Sequence, residues 1–209
     1  MKLEEGITFW NKMAATYDEH QYNDNYKRLI QRIARDVGAA DRVLDVATGT
    51  GIVALAIAQN ASTIEAIDYS PEMIGAAQEK ATRTATSNVS FAVQGADRLD
   101  FPDGVFDAVV ICNGLHVMEA PEKALPEARR VLKSKGLLVA PTPCCGETSE
   151  ASARARQMIA ERGFPIRTMF TAEGFRDLVE SSSFAVLERD RMPYRMPLEY
   201  ILARPANGK

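Results

Sequence analysis

Three observations predict a doubly wound α/β fold for this chain. Short apolar segments alternate with helical ones through its middle, one segment is apolar at nearly every position, and the first apolar run ends in a glycine-rich turn. Five strands joined by helices imply right-handed crossovers, with ligands at the carboxyl ends of the strands.

The elements follow in order. Phe9, Trp10, Tyr17 and Tyr22 put aromatic residues in a leader, where they either pack on the core or cover a pocket. Residues 26–37 carry Leu29, Ile30, Ile33 and Val37 on one helical face and stop at Gly38, so this helix covers the sheet. Residues 1–40 read as leader and covering helix, and 41–209 as one domain with no internal linker or repeat. Strands are expected over 43–46, 63–67 and 89–93, with a helix over 52–59. Ser70 as cap, Pro71 at the first helical position and Glu72 in the first turn start the next helix. Residues 106–111 suit a strand buried on both faces. A helix from Pro121, with Leu125, Ala128, Val131 and Leu132 on one side, is expected to end at Lys135-Gly136, ahead of a strand over 137–140. Past Pro143, helices are expected over 149–162 and 171–181, then strands over 184–189 and 198–203. The Met192-Pro193-Tyr194 connection is too short for a helical crossover, so one of the last two strands runs antiparallel.

Composition narrows the function. The chain has 209 residues, 46% apolar and 25% charged, which is ordinary for one globular domain. No apolar run approaches the roughly 20 residues of a membrane helix, and Met1-Lys2-Leu3-Glu4-Glu5-Gly6 lacks the pattern of a secretion signal. A cytoplasmic location without integral membrane association is the expectation. With a formal charge of −3 and no run of five basic residues, nucleic acid is not an expected partner. Cys112, Cys144 and Cys145 lack C-x-x-C spacing and nearby histidines, so reduced thiols and no metal site are expected.

Chemistry concentrates in Val43-Leu44-Asp45-Val46-Ala47-Thr48-Gly49-Thr50-Gly51, a carboxylate near the end of a strand followed by glycines in the turn to a helix. Glycine lets a backbone turn tightly and approach a ligand. Asp68, seventeen residues after Gly51, ends the next strand, where a carboxylate can accept both hydroxyls of a ribose. Together they point to a nucleoside cofactor. Gly49, Gly51 and Ala54 also fit G-x-G-x-x-A, with a diphosphate at the helix start near Ile52. Asp45 would repel such phosphates but suits a cationic amino group, and no catalytic Ser/Tyr/Lys pattern follows. A turn that serves only the fold is the third reading.

At these residues the chain resembles the class I S-adenosylmethionine-dependent methyltransferases, in particular the small-molecule group similar to the ubiquinone/menaquinone biosynthesis (UbiE-like) enzymes. The resemblance runs from about Trp10 to Pro143. It rests on Trp10-Asn11-Lys12-Met13-Ala14-Ala15-Thr16-Tyr17-Asp18, the Asp45 to Gly51 turn, Asp68-Tyr69-Ser70-Pro71-Glu72-Met73, Phe101-Pro102-Asp103-Gly104-Val105-Phe106-Asp107 and Leu132-Lys133-Ser134-Lys135-Gly136-Leu137, in this order. It implies a Rossmann-like, doubly wound, seven-stranded, mostly parallel sheet with an antiparallel last strand.

It also implies an enzyme that transfers the methyl group of S-adenosyl-L-methionine to a small-molecule acceptor and leaves S-adenosyl-L-homocysteine. Asp45, Ala47, Thr48, Gly49 and Gly51 would line the methionine part of the donor, Asp68 the ribose, and Tyr69 and Met73 the adenine, with Tyr17 closing the pocket. Where the family commonly has Gly-Asp-Ala, this chain has Gln94-Gly95-Ala96. Either Asp97 takes over the adenine amino group after a local shift, or the backbone at Ala96 reads it. Ala47 stands where many members have glycine and is tolerated only at negative φ.

Beyond the fourth strand, Asn113, Gly114 and Leu115 are expected to face the donor. His116 is the candidate catalytic base, since histidine titrates near neutrality; the alternative is a histidine that only hydrogen-bonds a neighbour. Cys144 and Cys145 are expected to be ordinary partly buried thiols, although adjacent thiols could meet a soft metalloid or an electrophile. Arg154, Arg156, Arg162 and Arg167 are expected on a solvated face, with contact to an anionic acceptor as the other reading. The competing functions are an NAD(P)-dependent oxidoreductase and a non-catalytic S-adenosylmethionine-binding protein. The acceptor and the oligomeric state stay open.

Overall fold

A computed structural model describes residues 3–21, 23–192, 194 and 196–206. Tyr22 and Pro193, named above, lie outside the described residues, as do Met1 and Lys2. Three helices come first: α1 (Leu3–Met13), α2 (Tyr17–Gln21) and α3 (Asp24–Val37). The alternation then runs β1 (Ala40–Val46), α4 (Ile52–Ile57), β2 (Ala61–Asp68), α5 (Pro71–Arg83), β3 (Val89–Val93), β4 (Phe106–Val110), α6 (Pro121–Val131) and β5 (Leu132–Pro143). It ends with α7 (Glu150–Arg162), α8 (Ala172–Ser181), β6 (Phe184–Met192) and β7 (Leu198–Pro205).

All seven strands form one sheet in the order β3-β2-β1-β4-β5-β7-β6. Neighbours from β3 to β5 are parallel, while β7 runs antiparallel to both β5 and β6. The reversed strand is therefore the last one. The chain winds outward from β1 to β3 and then returns to β4, so the topological switch lies between β1 and β4, where α/β sheets open a ligand crevice.

Helices cover both faces. Along β1, Val43 packs with Leu29 and Ile33 of α3 and with Val53 of α4, whereas Leu44 packs with Leu125 and Ala128 of α6 and Phe175 of α8. This is the two-residue period of a strand, and burial on both sides is why β4 reads as an almost unbroken apolar run. Ser70 caps α5 by accepting from the Met73 amide, with Pro71 at the first helical position as its sequence requires.

One expected boundary is wrong. Helix α6 ends at Val131, and Leu132 leaves it in extended conformation (φ −71°, ψ 136°) to pair with Phe106 of β4. The next paired residue of β5 is Leu137, opposite Ala108, so 133–136 bulge from the ladder. Gly136 serves this bulge instead of capping a helix, because a Cβ there would lie 2.8 Å from Leu132 Cδ2 and 3.1 Å from the Asp107 carbonyl. Apolarity at Leu132 continued the helical stripe on paper; buried strand and buried helix positions look alike.

The leader is tied to the body of the fold. Ser70 Oγ donates to Asn11 Oδ1 at 2.6 Å, Thr50 Oγ1 donates to Asp18 Oδ1 at 2.5 Å, and Lys80 pairs with Asp18. No helix among the described residues is long and apolar enough to cross a membrane. Among the described residues the three cysteines are unbridged, and no group of ligating side chains could hold a metal ion.

Candidate active site

The turn after β1 is stapled to the end of β2. The Thr48 amide donates to the Ile67 carbonyl at 2.9 Å, and the Gly49 amide to Asp68 Oδ2 at 2.9 Å. Asp68 Oδ1 accepts from the Ser70 amide at 2.9 Å, and the Tyr69 amide also bonds the carboxylate, so backbone N–H groups hold both of its oxygens. Asp68 is 6% exposed, and burial raises its pKa to about 6. Asp45, 1% exposed, accepts from Thr48 Oγ1 at 2.6 Å; burial raises its pKa to about 7, and Asp68 adds to the rise. Two buried carboxyls thus sit at neighbouring strand ends.

A cavity of about 380 Å³ opens beside them, at the carboxyl edge of β1, β2 and β3. Its wall includes six of the expected residues: Ala47, Asp68, Tyr69, Gly95, Ala96 and Asp97. Gln94 joins them, its amide held by the Asp68 carbonyl at 2.9 Å. Both open candidates for the adenine contact, Asp97 and Ala96, line the same wall.

The other expected residues stand elsewhere. Asp45, Thr48, Gly49 and Gly51 form the turn behind the wall, and the Met73 sulfur lies under it, 4.0 Å from where a Gly49 Cβ would be. Gly51 (φ +75°) is needed for packing, since its Cβ would meet Phe91 Cε1 at 2.9 Å and Ala77 Cβ at 3.0 Å. Tyr17 lies over the turn, with Cε1 at 3.8 Å from the same hypothetical Gly49 Cβ and its ring edge-on to Trp10. Gly114 abuts Ala47, whereas Leu115, expected to face the donor, is fully buried in the core with Leu125 and Phe175. Its apolar side chain, in the turn after β4, joins the α6 layer of the core.

Ala47 overturns another expectation. Its φ is +57°, not negative, at a cost of about 1–2 kcal/mol for a residue with a Cβ. The turn needs that conformation to aim the amides of Thr48 and Gly49 at β2. Asn113, in the turn after the adjacent strand β4, is also left-handed (φ +55°), a conformation asparagine tolerates better.

His116 is 5% exposed, and burial pushes its pKa down to about 3, so the imidazole is neutral. Its Nδ1 has no partner among the described residues. Its carbonyl accepts from the amides of Arg167 (2.9 Å) and Thr168 (3.1 Å), which seats Pro165 and Arg167 on the cavity wall. Arg167 therefore leaves the solvated series, and Arg156 also turns inward, donating to the carbonyls of Cys145 and Glu147. Cys144 and Cys145 are buried, and burial raises their thiols to about 12 and about 11.

Sequence reading offered a leader that covers a pocket but did not single out the residues that line it. Gly6 and Ile7 of α1 line the cavity, while Phe9 and Trp10 stack against Phe164. It also missed Tyr194, whose hydroxyl donates to Gln21 Oε1 at 2.9 Å and accepts from Asn113 Nδ2 at 3.3 Å. Neither carries a local motif; both depend on which segments the fold brings together.

Comparison with known proteins gives the family. A family model described as a methyltransferase domain matches residues 44–140. The ubiquinone/menaquinone biosynthesis C-methyltransferase UbiE of Zymomonas mobilis is 33% identical over 115 residues, covering 55% of this chain and 46% of the relative. A malonyl-[acyl-carrier protein] O-methyltransferase of Geobacter sulfurreducens is 33% identical over 199 residues, covering 88% of this chain and 73% of that one. The chain belongs to the class I S-adenosylmethionine-dependent methyltransferases.

As a member of this methyltransferase family it spans about half the length of the ubiquinone/menaquinone relative. The N-methyltransferase NodS of Bradyrhizobium japonicum, solved with S-adenosyl-L-homocysteine, superposes with a TM-score of 0.77 over 97% of this chain and 99% of its own at 17% identity, which is a likeness of fold. These methyltransferases carry C-, O- and N- prefixes in their names, so the family leaves the methylated atom open.

Proposed function

We propose that this chain transfers the methyl group of S-adenosyl-L-methionine to a small-molecule acceptor. The observation that carries the reading is Asp68: a buried carboxylate held by the Gly49 and Ser70 amides, on the wall of a cavity large enough for a nucleoside-sized ligand. Its place on that wall suits a ribose, and Gln94, Ala96 and Asp97 suit the adenine edge. Asp45 supports the same choice. A diphosphate beside two buried carboxyls would be repelled, whereas a sulfonium with an α-ammonium would be attracted. The six-residue α4 also offers little helix dipole to phosphates.

The donor supplies an already activated methyl group, so the protein's task is to hold the acceptor in line and exclude water. Gly6, Ile7, Trp10 and Tyr17 of the leader roof and flank the site, which fits the second task. Calorimetric titration with S-adenosyl-L-homocysteine and with NAD tests the reading: the former is expected to bind, and binding of NAD alone would end it. Asp68→Ala is expected to weaken S-adenosyl-L-homocysteine by about 1–3 kcal/mol, and unchanged affinity would remove Asp68 from the site.

A further inference from the structure

The cavity wall is built partly from the leader. Gly6 and Ile7 of α1 line it, and Gly6 packs so closely on Tyr69 of the same wall that a Cβ would lie 3.2 Å from the Tyr69 hydroxyl. A short turn over 14–16 joins α1 to α2, whose first residue, Tyr17, lies edge-on to Trp10 and over Gly49.

Two sets of polar contacts fasten these helices. Asn11 accepts from the buried Ser70 hydroxyl, the same oxygen that caps α5. Further along, Asp18 closes a ring with Thr50 and Lys80. Lys80 Nζ donates to Thr50 Oγ1 at 3.3 Å, Thr50 Oγ1 donates to Asp18 Oδ1 at 2.5 Å, and Lys80 also pairs with Asp18 directly. The three come from separate places in the fold: Asp18 from α2, Lys80 from α5, and Thr50 from the turn whose Gly49 amide holds Asp68.

Burial makes the members of this ring depend on one another. Thr50 is 1% exposed and the Lys80 side chain 14%, so the hydroxyl and the ammonium are largely shielded from water. Asp18 moves with the leader. Lifting the leader would strip the ammonium of its carboxylate and leave the Thr50 hydroxyl without its acceptor, which is unfavourable for groups so shielded. None of the three lines the cavity, so the ring acts through what it holds and not by touching a ligand.

We propose that Lys80, acting with Thr50 through Asp18, is a positioning residue that keeps the leader down over the bound donor. This rests on the methyltransferase reading above and adds to it a fastening outside the cavity. The ring ties the glycine turn, which holds Asp68, to the segment that carries Gly6, Ile7 and Tyr17. Roof residues meet the ligand only when the leader is down, so affinity follows the fraction of molecules in that state. Loosening the ring lowers that fraction and speeds escape.

The experiment measures association and dissociation of S-adenosyl-L-homocysteine by surface plasmon resonance on wild type, Lys80→Met, Lys80→Arg, Asp18→Asn and the double variant Lys80→Met/Asp18→Asn. Lys80→Met and Asp18→Asn are each expected to speed dissociation about tenfold without slowing association. Lys80→Arg, which keeps the charge and the donors, stays within about threefold of wild type, and the double variant loses no more than about threefold beyond either single one, because both changes act on one contact. Unchanged dissociation in the single variants, a weakening that comes from slower association, equal losses in Lys80→Arg and Lys80→Met, or multiplied losses in the double variant would overturn the assignment. If Lys80→Met fails to fold, Asp18→Asn, whose side chain is 30% exposed, carries the same test alone. Wild type that binds no S-adenosyl-L-homocysteine would instead overturn the donor reading, and this inference with it.

Discussion

Donor affinity is expected to fall on mild acidification, and the size of the fall counts the carboxyls involved. Burial raises Asp68 to about 6 and Asp45 to about 7, so the ligand-free protein takes up a proton on each as the pH drops through those values. Ribose hydroxyls and a cationic donor both prefer the ionised forms, so binding expels those protons. Lowering the pH from about 7.5 to about 5.5 multiplies the apparent Kd by about four if only Asp68 must ionise, and by about a hundred if both must. The assay is calorimetry with S-adenosyl-L-methionine across that range, in two buffers of different ionisation enthalpy, so that released protons are counted directly. Asp68→Asn should remove its own share of the slope. Stability moves the other way: between the ordinary carboxyl range and these raised values the folded chain holds protons that the unfolded chain has lost. These two groups therefore make the ligand-free protein more stable as the pH falls from about 7 toward about 4. A Kd that is flat across the range, or that improves in acid, would refute the placement of the carboxyls against the donor.

Ala47→Gly should relieve the left-handed strain and raise stability by about 1 kcal/mol, seen as a Tm increase of about 2–4 °C; a lower Tm would mean that the methyl packs better than its φ suggests. Gly51→Ala should cost about 2–5 kcal/mol, combining positive φ with overlap on Phe91 and Ala77, and denaturant unfolding would report it. Cys144 and Cys145, buried and raised to about 12 and about 11, should react with a thiol reagent at neutral pH far more slowly in the native protein than in denaturant, and comparable native and denatured rates would contradict their placement.

Most of the sheet was legible because parallel strands buried on both faces announce themselves as short apolar runs between helices. The reversed strand was legible from a connection too short to cross over. What failed had physical reasons. Leu132 is equally apolar at the end of a helix or the start of a strand, so the bulge at 133–136 was hidden. Leu115 was expected to face the donor with its neighbours, but its side chain turns into the core after β4. At Ala47 the demand of two amide hydrogen bonds outweighed a local preference for negative φ. Asp68 could be placed from its spacing alone, whereas the roof from α1 and the Gln21–Tyr194–Asn113 chain required the fold, since residues that distant have no spacing to read.

The reversal of β7 has a use beyond closing the sheet. Because β6 is parallel to the first five strands and β7 opposes them, β6 ends at the carboxyl rim, and Tyr194, just past it, meets Asn113 there. In an all-parallel sheet the loop entering a strand would surface at the far rim, so one inverted strand brings Tyr194 to Asn113 without an extra domain. Changing the length of that hairpin should therefore disturb the rim around Asn113 and leave the turn that joins Asp45 to Asp68 as it is.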